Sequence, residues 1–481
     1  MLPGTELSSR AAAREAPERT ALAYRDGALT WAELAQQVDR VRLIVQGRLV
    51  GMKRPVIAVA GAMGVETVTA ILALLEDRVP FVLLHPRWRR AERDRALAMS
   101  GASLVIEDDG AVTTLPGAAA KESPLGSRAV VVFTSGSTGR PRGAVLGHAA
   151  LCASAQAHTA VFGWREEDRW LLSLPTAHVG GLMIVVRSLL ARRTIVLGGR
   201  EAAGAFDAEA VLRTIESYRV TLLSVVPTML GRLLDRGEGR PPASLRAVLV
   251  GGAPASPALM ARARRRRWPV FATYGLTEAC SQVTTQRPRE ALWGVGAAVP
   301  GVDVRIVPSD GAGGSVRIRG AMLFDGYLGS EPDAPLDRPF DAGGWFDTGD
   351  LGVVDGAGRL RILGRTSDRI LTGGENVDPA EVEAAVVEWP GAEAACVVGL
   401  DDDEWGERVA AVVVDAGCFE AAGGLAALED HLRARLAGFK RPRSWRVVEG
   451  LPMAPSGKVD RRACRLLLVE ADNASSAEAL R

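Results

Sequence analysis

From residue 129 to residue 274 the chain alternates short unbroken apolar runs with stretches of helical periodicity, and few folds accommodate that rhythm. Ala129 to Phe133 (AVVVF), Trp170 to Leu174, Thr194 to Leu197, Val220 to Val226, Leu245 to Val250 and Val270 to Tyr274 read as strands. Their apolar residues are consecutive, as in a strand buried on both faces. Between them Cys152 to Val161, Gly181 to Leu190, Asp207 to Tyr218, Thr228 to Asp235 and Ser256 to Arg267 read as helices. Strands separated by helices build βαβ units and a mostly parallel, helix-covered sheet. The same beat precedes residue 120, with strands Val56 to Val59 and Phe81 to Leu84 around a helix near Glu66 to Leu75.

After Trp293 helical periodicity disappears and Gly, Pro and Asp become frequent, so Val302 to Leu363 reads as β-rich with tight turns. A helix restarts at Asp378, with Asp378 at N-cap, Pro379 at N1 and Glu381 at N3. Strand, helix and strand follow at Ala394 to Leu400, Val409 to Val414, Leu425 to Leu436 and Trp445 to Val448, and the last dozen residues read as frayed. The expected fold class is α/β. A large N-terminal domain of helix-covered, mostly parallel sheets spans residues 1–364, with a β-rich subdomain at about 295–364. Residues 365–369 read as a hinge, and 370–481 as a small mobile α+β domain.

Charge narrows the function classes. Lys+Arg is 58 and Asp+Glu 57, a net +1, and aromatic residues are 5%. Neither a basic face nor a stacking surface for nucleic acid is indicated. Cys152, Cys280, Cys396, Cys418 and Cys464 are dispersed without CxxC spacing and read as buried thiols of a reducing compartment. Met1 to Arg19 shows no apolar h-region, and the apolar run Trp170 to Val186 is broken by Pro175, His178 and Gly180-Gly181. The expectation is a cytoplasmic protein without a membrane span, monomer or homodimer. Lysine occurs only at 53, 121, 440 and 458, so a lysine kept inside a motif carries information.

Five motifs carry chemistry. Thr134-Ser135-Gly136-Ser137-Thr138-Gly139-Arg140-Pro141-Arg142-Gly143 follows a buried strand, and its backbone N–H groups and hydroxyls can wrap phosphate oxygens. It is not a Walker loop. Tyr274-Gly275-Leu276-Thr277-Glu278 ends another strand, where open α/β sheets bind ligands, and Glu278 could hold Mg²⁺. Alone, the same residues suit an ordinary helix start with Thr277 as cap. In Trp345 to Gly352, Asp350 sits in a Gly-bounded turn and could accept the two hydroxyls of a ribose. Gly364 to Ile370 and Thr372-Gly373-Gly374-Glu375-Asn376 crowd the boundary with charge and glycine, and Pro455-Ser456-Gly457-Lys458-Val459-Asp460-Arg461-Arg462 puts a rare lysine at the tip of a Pro/Gly turn.

In this order and spacing the motifs resemble the adenylate-forming superfamily of acyl-CoA synthetases, aryl-CoA ligases, luciferases and peptide-synthetase adenylation domains. The resemblance runs from about Ala21 to the last lysine motif. It implies ATP, Mg²⁺ and CoA as cofactor and co-substrates and a small-molecule carboxylic acid as substrate. It implies that Thr134, Ser135, Gly136, Ser137, Thr138, Gly139 and Arg142 grip the phosphates. Gly251, Gly252, Ala253, Pro254, Tyr274 and Gly275 would frame the adenine, Thr277 would touch phosphate, and Glu278 would bind the metal. Asp350 and Arg365 would hold the ribose, with Ser367 as hinge and Lys458 as the adenylating lysine. Gly373 and Gly374 would line the pantetheine channel, with Lys440, Arg441 and Arg443 near the CoA phosphates. His178, Gly180, Gly181, Ser224 and Thr228 would line the acyl pocket. Two positions depart from the pattern: Arg142 stands where the family's PKG has lysine, and Ser367 where Asp or Lys is usual. The run Ser173 to Leu182 with Arg187 and Ser188 looks like the o-succinylbenzoate–CoA ligase branch of menaquinone biosynthesis. Other aryl- or fatty-acyl-CoA ligases, a carrier-loading adenylation enzyme and a non-catalytic nucleotide-binding regulator are the alternatives.

Overall fold

The structure is a computed structural model. It describes residues 6–53, 55–117, 125, 128–134, 141–198, 206–236, 240–287, 290, 293–308, 313–329, 331, 334–454 and 458–479, the last eight by backbone alone. The chain divides into two compact units. The first is Met1–Val304, Ile318–Phe346 and Gly356–Leu360; the second is Arg305–Arg317, Asp347–Asp355 and Arg361–Arg481.

The first unit holds two sheets. In the larger, Val270–Leu276, Ala247–Val250, Leu222–Val225, Arg169–Leu171, Thr194–Val196 and Thr20–Tyr24 lie side by side and parallel. Antiparallel strands close both ends, Ser281–Thr285 with Ala297–Ala298 on one side and Gly27–Thr30 on the other. In the smaller, Val130–Thr134, Phe81–Leu84, Ile57–Ala60 and Leu104–Ile106 are parallel. The expected helices are present as His148–Phe162, Val179–Ala191, Ala208–Ser217, Pro227–Arg236 and Pro257–Arg265. Burial follows the pattern: Ile195, Leu222, Leu223 and Val248 are fully inaccessible. Fully burying each such side chain contributes about 1.5–3 kcal/mol.

Trp31–Leu49 is a helix that the apolar pattern alone did not separate. Its start is written in Thr30 and Glu33, which form a reciprocal capping box. The strand Arg142–Leu146 was not anticipated: Arg142 and Gly143 read as the end of the phosphate loop, but the strand pairs antiparallel with Val130–Thr134. Val302–Pro308, Gly314–Gly320, Phe346–Val354 and Leu360–Arg365 form a four-stranded sheet, the expected β-rich region.

In the second unit Ala392–Asp402 and Gly406–Asp415 pair along their whole length, flanked by Ile370–Thr372, Glu375–Val377 and Ser444–Val448. Alternation sets the two faces. Val397 and Val413 pack with Val382, Val386 and Leu428, whereas Cys396, Val398 and Leu400 pack with Cys464 and Leu468. Asp378 caps the helix Pro379–Val387 through the N–H of Ala380, as expected. The helix Arg461–Ala479 replaces the expected frayed end. All five cysteines are free thiols. Cys280, Cys396 and Cys464 are buried as expected, but Cys152 is only partly buried and Cys418 is exposed. The exposure of Cys418 follows from its turn, where Asp415 accepts the N–H groups of Gly417, Cys418 and Phe419. Among the described residues no helix is long and apolar enough to cross a membrane.

Two histidines on one helix carry a pH dependence. Burial, with the Arg78 charge second, lowers His148 from its ordinary 6.5 to about 4. His158, wrapped by Phe162, Trp164 and Trp170, is held well below its ordinary value, first by burial. Both bind a proton more readily in the unfolded chain. Their stabilisation is therefore complete above about pH 6.5 and is lost as pH falls towards 4. Urea titrations from pH 7 to 4.5 should show stability falling in this window. The fall should be shallower in His148→Gln, and an equally steep fall in that variant contradicts the assignment.

Candidate active site

The carboxyl ends of the parallel strands gather the sequence-predicted residues of the first unit, as open α/β sheets require. Ser224 lies near the end of Leu222–Val225, and exposed Thr228 opens the helix that follows. Gly251 to Pro254 follow Ala247–Val250, and Gly251 donates to the carbonyl of Val225 at 3.2 Å. Past Leu171 the chain reaches His178, the N-cap of Val179–Ala191, with Gly180 and Gly181 in that helix's first turn. Strand ends of the smaller sheet meet this edge. The Thr176 hydroxyl donates to Ala62 O at 3.1 Å, and the His85 and His178 rings lie 4.8 Å apart.

Tyr274, Gly275, Thr277 and Glu278 are shaped by an abrupt reversal. A bulge falls between Tyr274 and Gly275, where the chain passes so close to itself that a Cβ on Gly275 would stand 1.8 Å from Ser281 O. Thr277–Ala279 is a single 3₁₀ turn with Leu276 as N-cap, so Thr277 does not cap a helix. Cys280 and Ser281 then take φ of 48° and 97°. Such backbone costs about 1–3 kcal/mol per residue and persists where surrounding structure over-determines it.

The Glu278 carboxylate accepts the Tyr327 hydroxyl at 2.6 Å. Tyr327 is fixed by strand pairing, Tyr327 opposite Ala144. The Arg142 guanidinium lies 3.5 Å from the centre of its ring and donates to Asp337 at 2.7 Å. Burial, then the Glu278 charge, pushes the Tyr327 phenol above its ordinary value, so it stays protonated and donates. Sequence reasoning missed Tyr327, although tyrosine, like lysine, occurs only four times in the chain. The Thr134 hydroxyl donates to Arg142 O at 3.4 Å, closing the base of the loop between the two paired strands. Ser135, Gly136, Ser137, Thr138 and Gly139 lie outside the described residues.

Arg187 stands two turns beyond His178 and is 3% exposed. Its Nε has no hydrogen-bond partner, its Nη2 reaches the Ser154 hydroxyl only at 3.5 Å, and the guanidinium lies 5.7 Å from the Trp170 ring centre. Among the described residues no carboxylate pairs with it. Burial pushes it down to about 9. A buried cation is normally paired, so Arg187, beside Ser154 and Trp170, is an acceptor-seeking group. The sequence signal was an arginine inside an otherwise apolar helix.

The second unit carries the remaining candidates. Asp350 was expected in a turn but lies in the strand Phe346–Val354, 5% exposed, where Arg365 Nε donates to it at 2.8 Å. Gly349 takes a φ of 71° within that strand. Ser367 sits in the exposed 3₁₀ turn Thr366–Asp368. Gly373 and Gly374 form a two-residue hairpin turn with φ of 58° and 83°, and a Cβ on Gly373 would stand 2.6 Å from the Trp405 ring. Two successive positive φ values are the glycine signature of such a turn. Lys458 is exposed and its carbonyl accepts the Ala454 N–H at 2.8 Å, while Pro455, Ser456 and Gly457 lie outside the described residues. Lys440 is engaged by both oxygens of Glu381, and Arg443 stacks 4.2 Å from the Trp405 ring centre.

The AMP-binding enzyme family matches residues 9–328, and the AMP-binding enzyme C-terminal domain matches residues 381–458. The chain belongs to the AMP-binding, adenylate-forming enzymes. It is 35% identical to the 2-succinylbenzoate–CoA ligase of Bacillus pumilus strain SAFR-032, over 92% of this chain and 94% of that one. It is 32% identical to the enzyme of that name from Listeria monocytogenes serotype 4b, over 93% and 96%. Among solved structures it resembles the o-succinylbenzoate CoA synthetase of Bacillus subtilis in complex with its acyl-adenylate. There the TM-score is 0.83 at 31% identity, covering 96% of this chain and 98% of that one. The same enzyme with ATP and magnesium matches with TM-score 0.80 at 30% identity, covering 94% and 98%.

Proposed function

We propose that the protein is an ATP-dependent acid–CoA ligase acting on 2-succinylbenzoate, in the cytoplasm, where ATP, CoA and free thiols coexist. The observation that carries the substrate is Arg187, a buried cation that meets no carboxylate among the described residues. An acid with a second carboxylate supplies that partner, and the near whole-length likeness to 2-succinylbenzoate–CoA ligases supports the same choice.

A carboxylate resists substitution because its leaving group would be oxide. Its oxygen attacks the α-phosphorus of ATP, pyrophosphate leaves, and the acyl-adenylate then carries AMP as leaving group. The CoA thiol attacks the acyl carbon, AMP departs, and the thiol proton goes to solvent. No protein nucleophile is needed, so the residues act by position and charge.

We assign Lys458 to neutralise charge at the reacting phosphate, the loop from Thr134 to Arg142 to the phosphates, and Gly251 to Pro254 with Tyr274 to the adenine. Asp350 and Arg365 take the ribose, Ser367 the turning point, and Gly373 and Gly374 the pantetheine path. Among the described residues no three His, Cys, Asp or Glu side chains cluster as a metal cage. A lone carboxylate such as Glu278 fits a cation held mainly by phosphate and water; Glu278 would hold magnesium there, and the ion would supply positive charge to phosphate oxygens. Tyr327, by donating to Glu278, orients that carboxylate.

ATP–pyrophosphate exchange against a panel of acids tests the reading, with transfer to CoA or to a carrier protein as second stage. Exchange should be strongest with 2-succinylbenzoate and the acyl group should pass to CoA. Exchange driven best by a monocarboxylic fatty or aryl acid would replace the substrate assignment, and exchange with no acid would replace the enzyme by a nucleotide-binding regulator.

A further inference from the structure

The side-chain cluster around Arg461, drawn from the ends of the hinge and lysine motifs, has no role in the assignments above. Arg461 opens the helix Arg461–Ala479, three residues beyond Lys458. Its Nε faces Asp368 at 3.4 Å, and its Nη1 meets Glu383 at 2.8 Å and donates to Val397 O at 2.7 Å. Glu383 also accepts the Val397 N–H at 2.9 Å. One guanidinium thus joins four pieces of the second unit: the turn Thr366–Asp368, the helix Pro379–Val387, the strand Ala392–Asp402 and the final helix.

The link from Arg461 back to Lys458 is stiff. Asp460 donates its N–H to Pro452 O at 2.8 Å, and its carboxylate caps the helix through Ala463 N–H at 3.0 Å. Val459 bridges Met453, and Ala454 donates to Lys458 O. On the other side, Asp368 adjoins Ser367 and accepts its hydroxyl at 3.2 Å.

We infer that Arg461 is a positioning residue whose pair with Asp368 makes the turn holding Ser367 and the segment Lys458 to Arg461 one rigid lever. The inference rests on the assignments of Ser367 and Lys458 above. A change of backbone torsion at residue 367 moves Lys458 by a defined amount only if the chain just beyond it cannot yield. The pair supplies that stiffness directly, bypassing the ninety residues of chain between. A planar fork is suited to this, because it can hold two carboxylates and a carbonyl at fixed angles, whereas an ammonium group cannot.

The test is ATP–pyrophosphate exchange on the full chain with Arg461→Gln and Asp368→Asn, each in wild-type and Lys458→Ala backgrounds. Asp368→Asn leaves Glu383 paired with Arg461, so it serves even where Arg461→Gln folds poorly. Misplacing a catalytic group by about 1 Å costs about 10²-fold. Each single variant should therefore lower kcat for exchange by about 10- to 100-fold, with KM for ATP and acid changed less than about twofold. In the Lys458→Ala background the same changes should cost almost nothing, since the group they place is gone. Arg461→Lys should restore only part of the loss. Equal losses in both backgrounds would make the cluster merely structural and overturn the inference. Undiminished exchange in both variants, with Lys458→Ala still impaired, overturns it while sparing the function. Undiminished exchange in Lys458→Ala itself defeats the lysine assignment and the lever together.

Discussion

Lys458→Ala should abolish most ATP–pyrophosphate exchange and leave thioester formation from synthetic acyl-adenylate largely intact. The first half-reaction builds negative charge on the α-phosphate and the departing pyrophosphate. Removing one preorganised donor from such a centre costs about 3–4 kcal/mol, or about 10²–10³ in rate. The second half-reaction expels AMP from an acyl carbon and makes no use of a cation at the former site of pyrophosphate. The scarcity of lysine sharpens the prediction. The chain meets its needs for surface charge almost entirely with arginine, yet keeps an ammonium group at 458. An ammonium is a compact, rotatable point charge, and arginine is a wide planar fork. Lys458→Arg should therefore recover only a small part of the exchange rate. Equal loss of both half-reactions in Lys458→Ala would refute the division of labour.

Arg187→Met should do two opposite things. It should raise the melting temperature and lower kcat/KM for 2-succinylbenzoate. Replacing buried ionic groups by apolar ones of similar volume often stabilises by about 1–4 kcal/mol. The Arg187 Nε, without a hydrogen-bond partner among Trp170, Ser154 and the surrounding apolar helix, is a site where such a gain is due. The loss in catalysis comes from the substrate's second carboxylate, left without its cation. Truncating one member of a buried charge pair costs about 2–5 kcal/mol, so kcat/KM should fall by about 10²-fold or more. A monocarboxylic aryl acid, a weak substrate at best, should be unaffected or improved. Calorimetry and exchange kinetics on the same preparation decide the matter. A variant that is less stable and keeps its preference for the dicarboxylic acid contradicts the role.

Strand and helix identity was readable because each reports a local period. Phe81–Leu84 and Thr194–Val196 show their nature in consecutive apolar residues, and Asp378-Pro379 marks a helix start that the backbone obeys. The candidate site residues drew attention for a related reason: glycine, hydroxyl and carboxylate residues directly after a buried strand lie where open α/β sheets bind ligands. Arg142–Leu146 escaped notice because its short apolar run looks the same whether it pairs or not.

Which strand joins which sheet was not readable. Val130–Thr134 and Arg169–Leu171 share one rhythm but belong to different sheets, because pairing depends on which backbone lies alongside and not on the strand's own residues. The environment of Glu278 was likewise hidden. Glu278 is separated from Tyr327 by 49 positions, and Arg142 from Asp337 by 195. What the sequence by itself determined is the periodic framework and the chemical types placed at its strand ends, since both are local properties. The tertiary structure alone decided the charge balance: Arg187 meets no carboxylate among the described residues, Glu278 receives a phenol, and Arg461 is clasped by Asp368 and Glu383. Those pairings are set by distance through space in a medium of low dielectric, which chain order does not encode.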